Sequence, residues 1–219
     1  MGHPLFVDRE EAAHALAERL ARLDLKPPLR VLALPRGGVP LGAVVARRLG
    51  APLDLLLVRK IGAPGQDELA VAAVVDQGEP LMGVDEALAR ATGADANYLA
   101  RRRSEAWQEI LRRRALYLGG RTPATVAGAT VIVVDDGIAT GTTMKTVVKA
   151  LRQRHPAQIV VAVPVAPRHR VAELAAEADR VVCLAEPADF HSIGACYGAF
   201  PQLTDDEVLE AMRPPERAV

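Results

Sequence analysis

Hydrophobic positions along this chain occur in short continuous runs that alternate with longer stretches of helical periodicity. Five runs are short enough, and rich enough in leucine and β-branched residues, to be buried strands: residues 31–34, 53–58, 131–134, 159–163 and 180–184. Between them, apolar residues recur at helical spacing, at residues 39–49, 144–154 and 171–178. This alternation predicts an α/β fold in which a parallel sheet of about five strands is flanked by helices.

Further elements surround this predicted core. Asp8 and Glu11 have capping-box spacing, which predicts an opening helix, and Thr204 with Glu207 predicts a last short helix in the same way. Residues 69–75 and 80–84 flank a polar turn at 76–79, typical of a β-hairpin, and an arginine-rich helix is predicted over 95–116. We therefore expect a single domain, residues 1–219, with a hairpin-and-helix insertion near 69–120. A small C-terminal segment near 185–219 is here called the hood.

Composition narrows the class of protein. Hydrophobic residues make up 50% of the chain and charged residues 25%, which is typical of a globular protein. Lys+Arg and Asp+Glu both number 27, so no net charge favours binding to nucleic acid or an anionic membrane. No apolar run approaches the length of a bilayer span, and residues 1–20 are amphipathic rather than signal-like. Cys183 and Cys196 match no zinc spacing and are interpreted as buried thiols, so a cytoplasmic protein is expected.

The most informative segment is residues 131–143, VIVVDDGIATGTT. Four apolar residues predict a buried strand, Asp135 and Asp136 follow at its carboxyl end, and a turn of small and hydroxyl-bearing residues leads into an amphipathic helix. Such a turn can bind phosphate, because the first backbone N–H groups of a helix point towards the ligand and the helix dipole favours an anion. Ligands of open α/β sheets bind at this edge of the sheet.

The acid pair indicates what kind of phosphate would bind. A carboxylate repels phosphate but accepts hydrogen bonds from adjacent hydroxyl groups, so two acids beside a phosphate site suit a sugar phosphate. The Walker A spacing is not met, since Gly137 and Gly141 are too close together and Thr142 stands at the lysine position, and the dinucleotide motif G-x-G-x-x-G is absent from this segment. A purely structural turn with a solvated acid pair is the alternative.

This segment resembles the 5-phosphoribosyl-1-pyrophosphate (PRPP) binding motif of the type I phosphoribosyltransferases. The resemblance implies transfer of a phosphoribosyl group from PRPP to a nitrogen nucleophile such as a nucleobase, with release of pyrophosphate. It further implies that Asp135 and Asp136 are catalytic residues, which hold the ribose hydroxyls and offset developing positive charge. The 5′-phosphate would lie on the turn formed by Ala139, Thr140, Gly141, Thr142 and Thr143. Mg²⁺ is expected to bind mainly through PRPP and pyrophosphate, without a dedicated set of protein ligands.

A pyrophosphate site is expected beside this motif. Arg36, Gly37 and Gly38 follow the first strand, where glycines allow close approach of backbone N–H groups and arginine can bind oxygens bidentately. The family resemblance places a cis peptide at Pro35–Arg36. Arg59 and Lys60 are expected to end the second strand and neutralise pyrophosphate, with Lys60 as a catalytic residue, although a solvated strand end is the alternative. Residues 61–68 are expected to form a flexible loop that could close over the site, with an ordinary surface loop as the alternative.

Aromatic residues are only 3% of the chain, yet Phe190, Tyr197 and Phe200 lie together in the hood. By resemblance to the family, Phe190 and Tyr197 would stack on a base; a satellite hydrophobic core is the alternative. The arginines of residues 101–114 leave open a solvated helical face, a subunit interface such as that of a homodimer, or an RNA contact. Two rival functions therefore remain: a nucleotide-sensing or RNA-binding regulator without useful catalysis, and a phosphoribosyl hydrolase or phosphorylase.

Overall fold

The computed structural model describes residues 4–76, 78–119 and 124–213. Its elements in chain order are α1 (Arg9–Ala21), β1 (Leu29–Ala33), α2 (Gly38–Leu49), β2 (Leu53–Leu55), β3 (Val58–Ala63), β4 (Gln66–Asp76), β5 (Pro80–Val84), α3 (Glu86–Ala91), α4 (Ala96–Leu118), β6 (Thr130–Val134), α5 (Thr142–Arg152), β7 (Gln158–Val165), α6 (Arg168–Ala175), β8 (Arg180–Ala185), a short 3₁₀ helix (Gly194–Cys196) and α7 (Asp205–Ala211). Predicted boundaries at residues 1, 120 and 219, and the predicted turn residue Gln77, lie outside the described residues.

The core is a five-stranded sheet in the order β2-β1-β6-β7-β8, and all its strands are parallel. Successive side chains of β6 point to opposite faces. Ile132 and Val134 pack against α1 and α2, whereas Val131 and Val133 pack against α5 and the Leu174 side chain of α6. Both faces are therefore covered, which explains why the strands are continuously apolar. The predicted parallel α/β fold is confirmed.

A second sheet, antiparallel and ordered β3-β4-β5, lies outside this core. The predicted hairpin is confirmed, because β4 pairs with β5 from Ala72–Val84 to Asp76–Pro80. The prediction of one strand over residues 53–58 is wrong: β2 ends at Leu55, and β3 begins a new sheet at Val58. The apolar run hides this break because Leu56 is buried in the core around α5 and Leu57 is buried in the core of the insertion.

The predicted flexible loop over residues 61–68 is also wrong. Ile61 pairs with Ala72 and Ala63 pairs with Gln66, so most of this segment is antiparallel sheet and only Pro64 and Gly65 form the turn. Gly65 has a φ of 71°, the left-handed conformation that glycine supplies at such turns. The segment inserted after β2 therefore begins at Val58, earlier than the predicted residue 69.

Capping side chains fix the helix ends close to where the sequence indicated. Asp8 accepts a hydrogen bond from the Glu11 N–H at the start of α1, and Thr204 with Glu207 forms the predicted capping box of α7. The hood packs through a satellite core in which Tyr197, buried, lies against the rings of Phe6 and Phe200. Val208 of α7 packs into the core of the insertion, so the hood joins the two sheets.

Candidate functional site

The predicted site residues meet at the carboxyl edge of the parallel sheet. The loop after β1 lies directly against the acid pair after β6, and two glycines allow this approach. A Cβ atom built on Gly37 would lie 1.9 Å from the Asp136 Oδ2 atom, and one built on Gly38 would lie 2.5 Å from the Val134 carbonyl oxygen. These positions accept no side chain without movement of the acid pair or the backbone. The peptide bond between Pro35 and Arg36 is cis, as the family resemblance predicted.

Asp135 is half-buried at the end of β6. Its Oδ1 atom accepts a hydrogen bond from the Asp136 N–H at 2.9 Å. Burial, together with repulsion from Asp136, raises the pKa of Asp135 well above its usual value, and the nearby charges of Lys60 and Arg9 only partly oppose this rise. A cationic ligand or a developing positive charge beside Asp135 would favour its ionised form.

Asp136 is held differently, by a residue that sequence reasoning missed. Its carboxylate accepts a hydrogen bond from Arg9 Nε at 3.0 Å, and both side chains are only 11% exposed. Burial raises the pKa of Asp136, while the charge and hydrogen bond of Arg9 lower it. Arg9 also donates to the Pro201 carbonyl at 2.7 Å, and its guanidinium carbon lies 3.7 Å from the Phe200 ring centroid. The hood therefore fixes the arginine that holds Asp136.

The hood also holds the backbone of the acid pair. The Tyr197 hydroxyl donates a hydrogen bond to the Asp136 carbonyl oxygen at 2.6 Å, and burial raises the pKa of Tyr197. The structure thus places Tyr197 in the satellite core, as the alternative to base stacking indicated. No signal in the sequence linked Arg9 or Tyr197 to the acids, because 127 and 61 residues separate them along the chain.

The predicted phosphate-binding turn leads directly into α5. Gly141 precedes the helix with a φ of 77°, and no side chain caps the first helical N–H groups. Ala139 and Thr140 are exposed, while the buried Thr143 Oγ1 atom has no hydrogen-bond partner. An anion on this turn would meet uncapped N–H groups and the positive end of the helix dipole.

The basic residues predicted for pyrophosphate do not all face the acid pair. Lys60 is close enough to lower the pKa of Asp135, and it lines a cleft of about 640 Å³ with Thr140 and Thr142. Arg59 lines a depression beside α4, which Lys60 also borders. An Arg36 guanidinium nitrogen lies 3.8 Å from a carboxylate oxygen of Asp205 in α7. The structure therefore brings Lys60 and the two glycines to the acid pair, and leaves Arg36 and Arg59 further out.

A second cleft, of about 440 Å³, opens on the other side of the phosphate-binding turn and is here called the hood cleft. The turn and the segments that follow β7 and β8 line it: Ala139, Thr140, Pro167, Arg168, His169, Arg170, Pro187, Ala188, Phe190 and His191. Phe190 thus remains available to a ligand, whereas Tyr197 is not among these lining residues.

The arginines of α4 are engaged within the chain. Arg112 and Arg113 both bond to Glu109 and lower its pKa to about 2, and Arg101 and Arg102 pair with Glu105. Arg103 donates to the Pro80 carbonyl oxygen, and Arg114 binds Asp76. These contacts favour the interpretation of a solvated, internally paired helical face.

Two kinds of feature are absent from the described part of the chain. No group of three or more histidine, cysteine or acidic residues there could hold a metal ion. Within the same residues, no helix is both long enough and apolar enough to cross a membrane.

A parallel sheet with an acid pair and an uncapped helix start at one edge defines the type I phosphoribosyltransferase fold class. The chain belongs to the family described as the phosphoribosyl transferase domain, whose model matches residues 8–197. The crystal structure of TT1426 from Thermus thermophilus is similar, with 42% sequence identity and a TM-score of 0.80. The match covers 94% of this chain and 97% of that one.

Two curated Mycobacterium tuberculosis proteins, from strains H37Rv and CDC 1551 / Oshkosh, are named provisionally as phosphoribosyl transferases. Each is 43% identical to this chain over 205 residues, which is 94% of this chain and 46% of the relative. The chain thus spans about half the length of the curated relatives it matches.

Proposed function

We propose that the protein transfers the 5-phosphoribosyl group of PRPP to a ring nitrogen of a nucleobase-like acceptor and releases pyrophosphate. One observation carries this proposal: Asp135 and Asp136 lie at the start of the same turn that leads into the uncapped N-terminus of α5. A ribose diol bonded to the acids would extend its 5′-phosphate towards this turn. Family membership supports the same class of reaction.

The positions of the two clefts support an assignment of leaving group and acceptor. In a displacement at the ribose C1 atom, the attacking nitrogen and the departing oxygen lie on opposite sides of that carbon. The glycine loop follows β1, on one side of β6, whereas the hood cleft is built from the segments after β7 and β8, on the other side. We therefore assign pyrophosphate to the loop with Gly37 and Gly38, and the acceptor to the hood cleft, where Phe190 offers an aromatic face.

Asp135 has the chemistry that this reaction needs. As the C1–oxygen bond breaks, the ribose ring gains positive charge, as it does in glycoside hydrolysis. A carboxylate held in a half-buried site stabilises that charge more than a solvated one would. Arg9 keeps Asp136 in place, so that its carboxylate does not have to be ordered when the substrate arrives.

The residues present fit a magnesium ion brought in by the substrate. Mg²⁺ commonly binds through substrate phosphates and one or two carboxylates, and retains water ligands. Asp135 and Asp136 supply that number of carboxylates, and the described residues hold no larger metal-ligand group. When bound, the ion would neutralise negative charge on pyrophosphate, and Lys60 would add to that effect.

Pyrophosphate release from PRPP, measured with a panel of bases, tests the proposal. The wild-type protein should release pyrophosphate only when an acceptor is present, and Asp135→Asn should lower kcat about 10²-fold or more, as for the loss of one electrostatic stabiliser. Asp24→Asn is the matched control and should retain full activity, because Asp24 is an exposed acid in the loop after α1.

Other outcomes would favour the rival functions. Release that does not depend on a base would indicate a hydrolase. RNA binding without pyrophosphate release would indicate a regulator. Unchanged turnover in Asp135→Asn would contradict the assigned role of the acid pair.

A further inference from the structure

The lining of the hood cleft has a chemical bias that bears on the acceptor. Two arginines and two histidines line it, together with Phe190 and two prolines, and none of the described lining residues is a carboxylate. The N–H donors of a neutral purine or pyrimidine need hydrogen-bond acceptors in the protein. Among the side chains that line the cleft, only the Thr140 hydroxyl and unprotonated histidine nitrogens can accept. Arginine side chains supply donors only. The cleft therefore suits an acceptor that carries negatively charged oxygen atoms better than it suits a neutral base.

Three of these basic groups are consecutive and begin α6. Arg168, His169 and Arg170 occupy the first turn, the N-cap residue is Pro167, no side chain caps the helix, and no acidic residue lies in that turn. The N-terminus of a helix carries partial positive charge, so cations there are unfavourable in the absence of a ligand. Local sequence preferences that are broken in this way are expected mainly at functional sites.

Arg168 is the loosely paired charge of this turn, whereas Arg170 is paired with Glu173. Arg168 is 91% exposed at its side chain, and its nearest carboxylate contact, with Glu186, is 4.0 Å long. Arg170 binds Glu173 through Nη1, but its buried Nε atom has no hydrogen-bond partner. His191, across the cleft, is exposed. An anionic group entering the cleft could therefore pair with Arg168 without breaking a close ion pair.

We propose that the acceptor is an aromatic nitrogen heterocycle that carries a carboxylate. Its ring would stack on Phe190 and its carboxylate would pair with Arg168 and the N-terminus of α6. In the reaction, the ring nitrogen forms a bond to C1 of PRPP, and the C1–oxygen bond breaks with its electron pair leaving on pyrophosphate. A nitrogen that carried hydrogen then loses that proton to the departing pyrophosphate or to water, whereas a pyridine-type nitrogen becomes a cation that the carboxylate offsets. This inference rests on the proposed function.

Matched acceptor pairs test it with the full chain, PRPP and Mg²⁺. Nicotinate is compared with nicotinamide, and orotate with uracil, with adenine and hypoxanthine as neutral purines. Pyrophosphate release should be faster with at least one carboxylate-bearing member than with its neutral partner and both purines. Arg168→Gln should raise the KM for that acceptor about tenfold or more, as for loss of one charge-assisted hydrogen bond, and leave the KM for PRPP unchanged.

Arg180→Gln is the matched control. Arg180 is an exposed arginine at the amino end of β8, away from the hood cleft, and its replacement should change neither KM. Two results would overturn the inference and leave the proposed function intact. One is a preference for a neutral base, and the other is an effect of Arg168→Gln on the KM for PRPP alone. Failure to bind PRPP in a separate calorimetric titration overturns both.

Discussion

Removing either partner of the ion pair between Arg9 and Asp136 should cost much stability, because the remaining charge would be largely buried and unpaired. Both side chains are 11% exposed and their atoms are 3.0 Å apart. Replacing Arg9 with methionine keeps much of the packing over Phe200 but leaves a buried carboxylate without its cation. Removing one partner of a buried pair costs about 3–5 kcal/mol of unfolding free energy. The hydrogen bond to Pro201 would be lost as well, so we expect Arg9→Met to reach this range.

The assay is urea unfolding at neutral pH, with Arg48→Met as the matched control. Arg48 pairs with Glu18 at 2.7 Å, but these side chains are 50% and 53% exposed, so the control should lose much less stability than Arg9→Met. The double variant Arg9→Met/Asp136→Asn removes both charges and should be more stable than Arg9→Met alone. If Arg9→Met loses no more stability than Arg48→Met, or if the double variant recovers nothing, the argument that Arg9 compensates the buried charge of Asp136 is refuted.

Three further predictions concern single residues. Folding raises the pKa of Asp135, so the contribution of its carboxyl group to stability is complete below about pH 4, near the unfolded pKa, and is lost as pH rises through the folded pKa. Asp135→Asn should therefore unfold at a higher urea concentration than the wild type at pH 7, and at a similar concentration near pH 4. The opposite order at pH 7 would contradict the pKa argument. Gly38→Ala should lower the unfolding free energy by about 1–3 kcal/mol, because its Cβ would meet the Val134 carbonyl at 2.5 Å, and an unchanged melting temperature would count against that contact. Arg114→Met breaks a pair with nearly buried Asp76 and should lower the unfolding free energy by about 3–5 kcal/mol. Arg112→Met, on the exposed face of α4, should lose much less, and equal losses in urea unfolding would refute the distinction.

The elements that the sequence predicted well are those whose pattern has a single physical cause. Residues 131–134 are continuously apolar because both faces of β6 are covered, and the acids that follow mark the point where the strand leaves the core. Gly37 and Gly38 could be predicted as points of close approach because only glycine lacks a Cβ atom. Their contact with Asp135 and Asp136 could also be predicted, because β1 and β6 are parallel and their carboxyl ends lie at the same edge of the sheet.

The remaining features depend on contacts that no local pattern encodes. Arg9 is a residue of an amphipathic helix, and only the packing of the hood over the sheet brings it to Asp136. The break between β2 and β3 lies within one apolar run, because Leu56 and Leu57 enter different cores. Tyr197 was expected to stack on a base. An aromatic residue near a site can equally hold the site's backbone in place, as Tyr197 does through its hydrogen bond to the Asp136 carbonyl oxygen.

Calorimetric titration of PRPP with Mg²⁺ into the wild type and the Thr143→Val variant tests the central claim most directly. The Thr143 hydroxyl is buried and has no partner in the protein, so its loss should cost little stability, while PRPP affinity should fall about tenfold through loss of a hydrogen bond to phosphate. Thr130→Val is the reciprocal control, since the Thr130 hydroxyl donates to the Lys26 carbonyl and should affect stability without changing affinity. One PRPP bound per chain, with affinity lost only in Thr143→Val, is the predicted result. Absence of binding in the wild type, or equal affinity in all three proteins, would contradict a phosphate site at the start of α5.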